Sequence, residues 1–123
     1  MKMNLETRPG VNAVTSYGVG YVEINHQRYD TAIVVAPTGA VERAEIANFD
    51  ALAAEHFEAL LAAEPEVVLL GTGERHRFVH PRLMASLAAR RIGVETMSTA
   101  AACRTYNLLM IEDRRVVALL LHD

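Results

Sequence analysis

The side chains of this 123-residue chain that could do chemistry gather in two stretches, "LLGTGERHRF" (69–78) and "MSTAAACRTYN" (97–107). Gly71 and Gly73 flank Thr72, and glycine allows positive φ and close backbone approach. Successive amides in such a turn can form an anion-binding nest. Ser98 and Thr99 stand where a helix begins, and a helix N-terminus presents N–H groups and a favourable dipole to the same kind of ligand. Arg75, Arg77 and Arg104 can add charge-assisted hydrogen bonds. Thr99, Cys103 and Asn107 are spaced by four, so they share one helix face. Together, Gly71, Thr72, Gly73, Arg75, His76, Ser98, Thr99, Cys103, Arg104 and Asn107 form a candidate site for a small polar or anionic ligand. A plainer reading stands beside it: Gly-Thr-Gly is a tight exit from a strand, and Ser98 or Thr99 is a helix cap.

Catalysis has two candidate reactive groups. Cys103 falls in the second turn of the expected helix, where the dipole and nearby arginines can lower a thiol pKa. A free cysteine is also at home as a small buried hydrophobe. His76 is the other candidate. No nucleophile, base and orienting group assemble around either from the sequence. "GTGERH" supplies two glycines of a dinucleotide fingerprint, but His76 replaces the third and Pro81 delays the helix. His76 and His80 are four apart in a loop, with no cysteine or histidine set to complete a metal site. No cofactor is expected. Asn107 is a poor mid-helix residue, which implies a specific partner for its amide.

Composition narrows the function classes. The chain is 51% hydrophobic and 22% charged, a globular balance with room for one core. The formal net charge of −3 argues against nucleic-acid binding. Charge is unevenly spread: residues 1–66 carry a net −6 and residues 67–123 a net +3. No apolar run approaches a membrane span, so no membrane insertion is expected. "MKMNLETRPG" lacks the apolar core of a secretory signal, which points to the cytoplasm. Eleven arginines against one lysine suit a GC-rich bacterial genome. One cysteine excludes an internal disulfide.

The elements that must position the site follow from periodicity. "NAVTSY" and "GYVEI" around Gly18 and Gly20 predict an antiparallel hairpin, "NHQRYD" a second turn, and "TAIVVA" a buried strand. Residues 49–64 change to helical spacing and stop at Pro65. "EVVLLG" predicts a central strand buried on both faces. A helix from Pro81 ends near Arg90, Arg91 and Gly93. "GVETM" is a strand, "STAAACRTYNLLMI" a helix, and "RRVVALLL" the closing strand. This alternation predicts one α/β domain over 1–123, with a mainly parallel central sheet and an N-terminal antiparallel hairpin. Residues 1–10 are expected to be a flexible segment. An exposed N-terminal β-edge leaves a homo-oligomer open.

"VVLLGTG", "IGVETMSTAAACRTYNLL" and "EDRRVVALLL" resemble a family of small single-domain proteins of unknown biochemical function. That family includes the mitochondrial complex I assembly factor 3 and an adipogenesis-associated animal protein. The resemblance covers roughly 10–121 and rests on the Gly-Thr-Gly after a strand together with Ser98-Thr99, Ala102 and Thr105-Tyr106-Asn107. It implies a three-layer β+α/β/α fold and a pocket near Gly71–Gly73 and Ser98-Thr99, with no settled catalytic residue or cofactor. The expected function is a non-enzymatic binding or assembly factor with a protein partner and a small-ligand cleft at the strand ends. The alternative is an enzyme on a small anionic substrate, with Cys103 or His76 reactive.

Overall fold

The hairpin around Gly18 and Gly20 forms as expected. β1 (Val14–Gly18) pairs antiparallel with β2 (Tyr21–Ile24), and Val19 and Gly20 make the turn. The computed structural model describes residues 9–123. Of the segment 1–10 expected to be flexible, only Pro9 and Gly10 lie within the described residues. Asn25 and His26 take positive φ of 50° and 69° and turn the chain again. A two-residue turn of that hand matches the twist of its strands. The stretch 25–30, expected to be turn, therefore turns only at its start. Gln27–Tyr29 is a third strand, β3, paired with β2.

β4 (Ile33–Val35) is the strand expected in "TAIVVA". It returns at once to a short partner, β5 (Glu42–Arg43), which no pattern in the sequence announces. With β6 (Val67–Gly71), β7 (Gly93–Met97) and β8 (Val116–Leu120) these make a five-stranded sheet of order β5-β4-β8-β6-β7. β6 runs parallel to both β7 and β8, whereas β4 is antiparallel to β8. The sheet is thus mixed, which corrects the mainly parallel expectation. The reason is local. A tight return such as that from β4 to β5 joins only antiparallel neighbours, since parallel ones need a long crossover.

β6 and β8 are buried at every position, as strands covered on both faces must be. Their residues alternate between two cores. Val67, Leu69, Val116, Ala118 and Leu120 cluster with α3 (Thr99–Ile111) and the β1–β3 meander. Val68, Leu70, Val117 and Leu119 cluster with Phe57, Leu60 and Leu87 on the other side.

The helices on that second side are more broken than the periodicity predicts. Residues 49–64 form a 3-10 turn at Phe49–Ala51, a helix α1 (Ala54–Glu58) and a second 3-10 stretch at Ala59–Ala63. Leu52 is extended, which interrupts the run. Glu64 takes φ 50° ahead of Pro65, because the proline ring disfavours helical geometry in the residue before it. The next helix is likewise split into a 3-10 turn, Pro81–Met84, and α2 (Ala85–Ala89). His80 caps it, its Nδ1 accepting the Arg82 N–H at 3.1 Å. Arg91 (φ 59°), not Gly93, supplies the left-handed residue at its end, and Gly93 already opens β7.

α3 starts where expected, with Ser98 Oγ accepting the Ala101 N–H at 3.2 Å. Its buried face is Thr99, Ala102, Cys103, Tyr106, Asn107 and Met110, a helical stripe laid against β6, β8 and β1.

Candidate functional site

Parallel pairing sets Gly71 of β6 beside Met97 of β7, so the two loops after these strands meet. They are laced together. The Thr72 N–H donates to the Met97 carbonyl (2.8 Å) and the Thr99 N–H to the Gly73 carbonyl (2.8 Å). Gly73 N–H donates to Thr99 Oγ1 (2.9 Å), and that hydroxyl donates onward to the Leu121 carbonyl (2.6 Å). Leu121 N–H closes the circuit on the Gly71 carbonyl at 3.0 Å. Thr99 thereby ties the ends of β6 and β8 to the first turn of α3. Thr72 Oγ1 donates to the Arg75 carbonyl (2.6 Å) and accepts the Arg77 N–H (3.1 Å), folding the loop onto itself. Thr72 and Thr99 are buried polar groups with their bonding satisfied.

Gly71, Thr72, Gly73, Ser98 and Thr99 are therefore brought together, as the spacing anticipates, but their polar atoms already hold one another. The amides of Thr72, Gly73 and Glu74 donate to Met97, Thr99 and Asp123 respectively, the last at 3.3 Å. This occupies the amides that an anion nest would use.

The other candidates sit elsewhere. Arg75 is exposed at the loop surface. His76 Nε2 lies 2.9 Å from Thr96 Oγ1 in an exposed pair. Arg104 is exposed and donates to the Tyr17 hydroxyl at 2.7 Å. Asn107 faces away from the loops: its Oδ1 accepts the Val14 N–H (2.9 Å) and its Nδ2 donates to the Val14 carbonyl (2.8 Å). The amide acts as an extra strand neighbour for β1. Its partner is thus the hairpin and not the Gly71–Gly73 loop.

Cys103 is wholly buried in the core between α3 and the sheet. Burial pushes its thiol from an ordinary 9.0 up to about 12, with Arg104 offsetting only part. The native protein is expected to resist iodoacetamide at pH 8, while the urea-unfolded chain labels quickly; equal rates would show that α3 opens freely. The pH dependence has a definite sign. The folded state keeps a proton that the unfolded chain loses, so this stabilisation is complete below pH 9.0 and disappears as pH rises through about 12. The urea midpoint should therefore fall across that alkaline window.

A cleft of about 240 Å³ opens beside the laced loops. The hairpin turn Gly18–Gly20 and Tyr17 form one wall, Gly73, Glu74, Thr99 and Ala100 the other, and Leu121–Asp123 the floor. Sequence reasoning missed the hairpin and the tail. The docking of β1 onto α3 brings the hairpin here, its one signal being the mid-helix Asn107, and the pairing of β8 beside β6 brings the tail. His122 Nε2 is buried with no hydrogen-bond partner among the described residues. Burial holds the His122 ring below its ordinary pKa, against the opposing pull of the Thr31 backbone, Asp30 and Asp123.

Comparison with known proteins agrees with this frame. Residues 14–121 match the family described as "Protein of unknown function (DUF498/DUF598)". The "13 kDa major membrane protein" of Francisella tularensis subsp. holarctica is 28% identical over 106 residues, covering 85% of this chain and 86% of that one. The "NADH dehydrogenase [ubiquinone] 1 alpha subcomplex assembly factor 3" of Bos taurus is 28% identical over 103 residues, 82% of this chain. The match spans 55% of that longer relative. A crystal structure from Bordetella parapertussis superposes with TM-score 0.89 at 42% identity, over 95% of this chain and all (100%) of that one. With most of its length matched, the chain belongs to the family of proteins of unknown function DUF498/DUF598.

Proposed function

We propose that this chain is a non-enzymatic binding or assembly factor, working as a single three-layer β+α/β/α domain in a bacterial cytoplasm. One observation carries the reading: the polar groups at the strand ends are engaged in holding the fold, and the one thiol is shut in the core. Thr72 and Thr99 hydroxyls bond carbonyls, and Cys103 is buried with its thiol held protonated. The naming of a relative as an assembly factor supports the same kind of work here. The partner is a protein, and its contact face is the outer side of α3. Leu108 and Ile111 lie one turn apart there and are 58% and 49% exposed. Two such side chains on one helix face make a small apolar surface that a protein partner would cover.

The cleft beside Gly73 and Thr99 holds a small ligand. Of the polar and anionic classes, the polar one is better supported, because Glu74 and Asp123 line the cleft and the loop amides are engaged. The unpartnered His122 Nε2 offers such a ligand a buried hydrogen-bonding group.

Native mass spectrometry of gently purified protein tests both parts. Ala100→Leu fills the cleft without touching the laced loops, and should remove a bound small mass. Leu108→Asp/Ile111→Asp should remove a co-purifying protein and leave the small mass. The same spectra count the copies in any homo-oligomer. Turnover of a small substrate, abolished by His76→Ala in a folded protein, would replace this reading with an enzymatic one.

A further inference from the structure

The helical layer leaves part of the second face of the sheet uncovered. Val34, Ala36 and Ala44 pack against the core on that side, yet all three stay half-buried. A hollow of about 550 Å³ lies over them, floored by Val117 and Leu119 of β8. Ala59, Ala62 and Ala63 line its helical side, and alanine has no side chain long enough to bridge the gap. A second hollow, of about 670 Å³, shares Arg43–Ile46 with the first and reaches Thr31 and Ala32 at the start of β4. The two adjoin along the β5 segment as one trough.

Charge in the first hollow has one sign. Glu42 stands opposite Val34 in the β4–β5 register, so the two share the face that the hollow covers. Glu45 and Glu55 of α1 line it as well. All three carboxylates are exposed, and no ion pair engages them among the described residues. Arg43 does not neutralise them. It stands opposite Ile33, on the other face, and its guanidinium lies 4.9 Å from the Tyr29 ring centre. His56 turns back on its own helix, its Nδ1 accepting the Ala53 N–H at 2.9 Å. β5 is also an open edge of the sheet. The Ala44 N–H bonds the Ala32 carbonyl at 2.8 Å, so the neighbouring Arg43 turns its own N–H and C=O away from β4. A small molecule would leave those groups unpaired. A second copy of this chain would set Glu42 and Glu45 against their own counterparts, and like charges across a strand pair repel.

We propose that this trough receives an extended, lysine- or arginine-bearing segment of a partner protein. The segment adds as a strand beside β5, sets an apolar side chain over Val34 and Ala44, and brings its cations to Glu42 and Glu55. This face is separate from the one on α3, which packs on the opposite side of the sheet.

A fluorescein-labelled peptide, Lys-Thr-Val-Thr-Lys with an amidated end, presents two cations and one apolar side chain on a single strand face. Its anisotropy should rise as the protein is added, and that of the matched Glu-Thr-Val-Thr-Glu peptide should not. Salt at about 0.5 M should weaken the binding. Glu42→Lys/Glu55→Lys should weaken it at least roughly ten-fold. Ala59→Phe, which fills the hollow and leaves the carboxylates in place, should do the same, with circular dichroism confirming that both variants fold. A lysine peptide N-methylated at its threonines and valine keeps its charge but loses backbone donors, and should bind far less. Leu108→Ser, on the opposite side of the sheet, should change nothing; equal loss there would overturn the placement. No rise with the lysine peptide would overturn the proposal, as would equal binding of the glutamate peptide. Undiminished binding of the N-methylated peptide would overturn strand addition. Self-association of the protein that Ala59→Phe abolishes would put a second copy in the trough instead.

Discussion

Asn107→Ala is expected to lower the stability of the protein by about 3 to 5 kcal/mol, since each buried backbone group left unpaired costs roughly 1–3 kcal/mol. Asn107 is 3% exposed, and both ends of its amide are engaged by Val14, one donating and one accepting. Removing the side chain strands an N–H and a C=O at once, deep between α3 and β1. The loss is a large part of a typical domain's total of about 5–15 kcal/mol. Asn107→Asp separates the two bonds. It keeps an acceptor for the Val14 N–H but sets a carboxylate against the Val14 carbonyl, so it should be no better than alanine. Urea unfolding gives the magnitudes, and amide exchange at Val14 should quicken first because the hairpin is what comes loose. A midpoint change worth less than about 1 kcal/mol in Asn107→Ala would sink this account of the α3–β1 seam.

Gly71→Ala is expected to be nearly as damaging. A Cβ at Gly71 would lie 2.8 Å from Thr99 Oγ1, 2.9 Å from Thr99 Cα and 3.2 Å from Leu120 Cδ2. The second of these neighbours is a backbone atom, and Gly71 ends a fully buried strand, so rotating a flexible side chain does not relieve the clash. Overpacking of this kind costs roughly 1–3 kcal/mol. Moving Thr99 also disturbs its bonds to Gly73 and Leu121, so the total should reach about 3 kcal/mol or more. Gly93→Ala is the matched control, since nothing lies within 4 Å of its would-be Cβ. It should change stability by no more than about 1 kcal/mol in either direction. If the two alanine variants unfold at the same urea concentration, the close approach of α3 to β6 is not what requires glycine at 71.

How much of this was legible depends on whether the signal is local. β6 is readable because an unbroken apolar run bounded by glycine matches a strand covered on both faces. The start of α3 is readable because a serine cap acts through its own neighbouring amide. The meeting of Gly71–Gly73 with Ser98-Thr99 follows from placing two adjacent parallel strands side by side. What the threonines do there does not follow. Thr99 donates to the carbonyl of Leu121, 22 residues away, and only a β8 inserted next to β6 makes that carbonyl available. β5 is invisible for a different reason. Two exposed residues, Glu42 and Arg43, carry no hydrophobic period to detect. The broken helix at 49–64 shows the limit of periodicity itself, which records the buried face but not whether the backbone stays helical between its apolar residues.

The strand order has a consequence for how the protein is made. β8 lies between β4 and β6, yet it is synthesised after both. A growing chain thus presents β4–β5 and β6–β7 as two separate strand pairs, each with an apolar edge that has no partner until residues 116–120 arrive. The emerging chain must keep these edges apart from each other and from neighbouring chains. One late insertion then completes both cores at the same moment, because alternate residues of β8 belong to each.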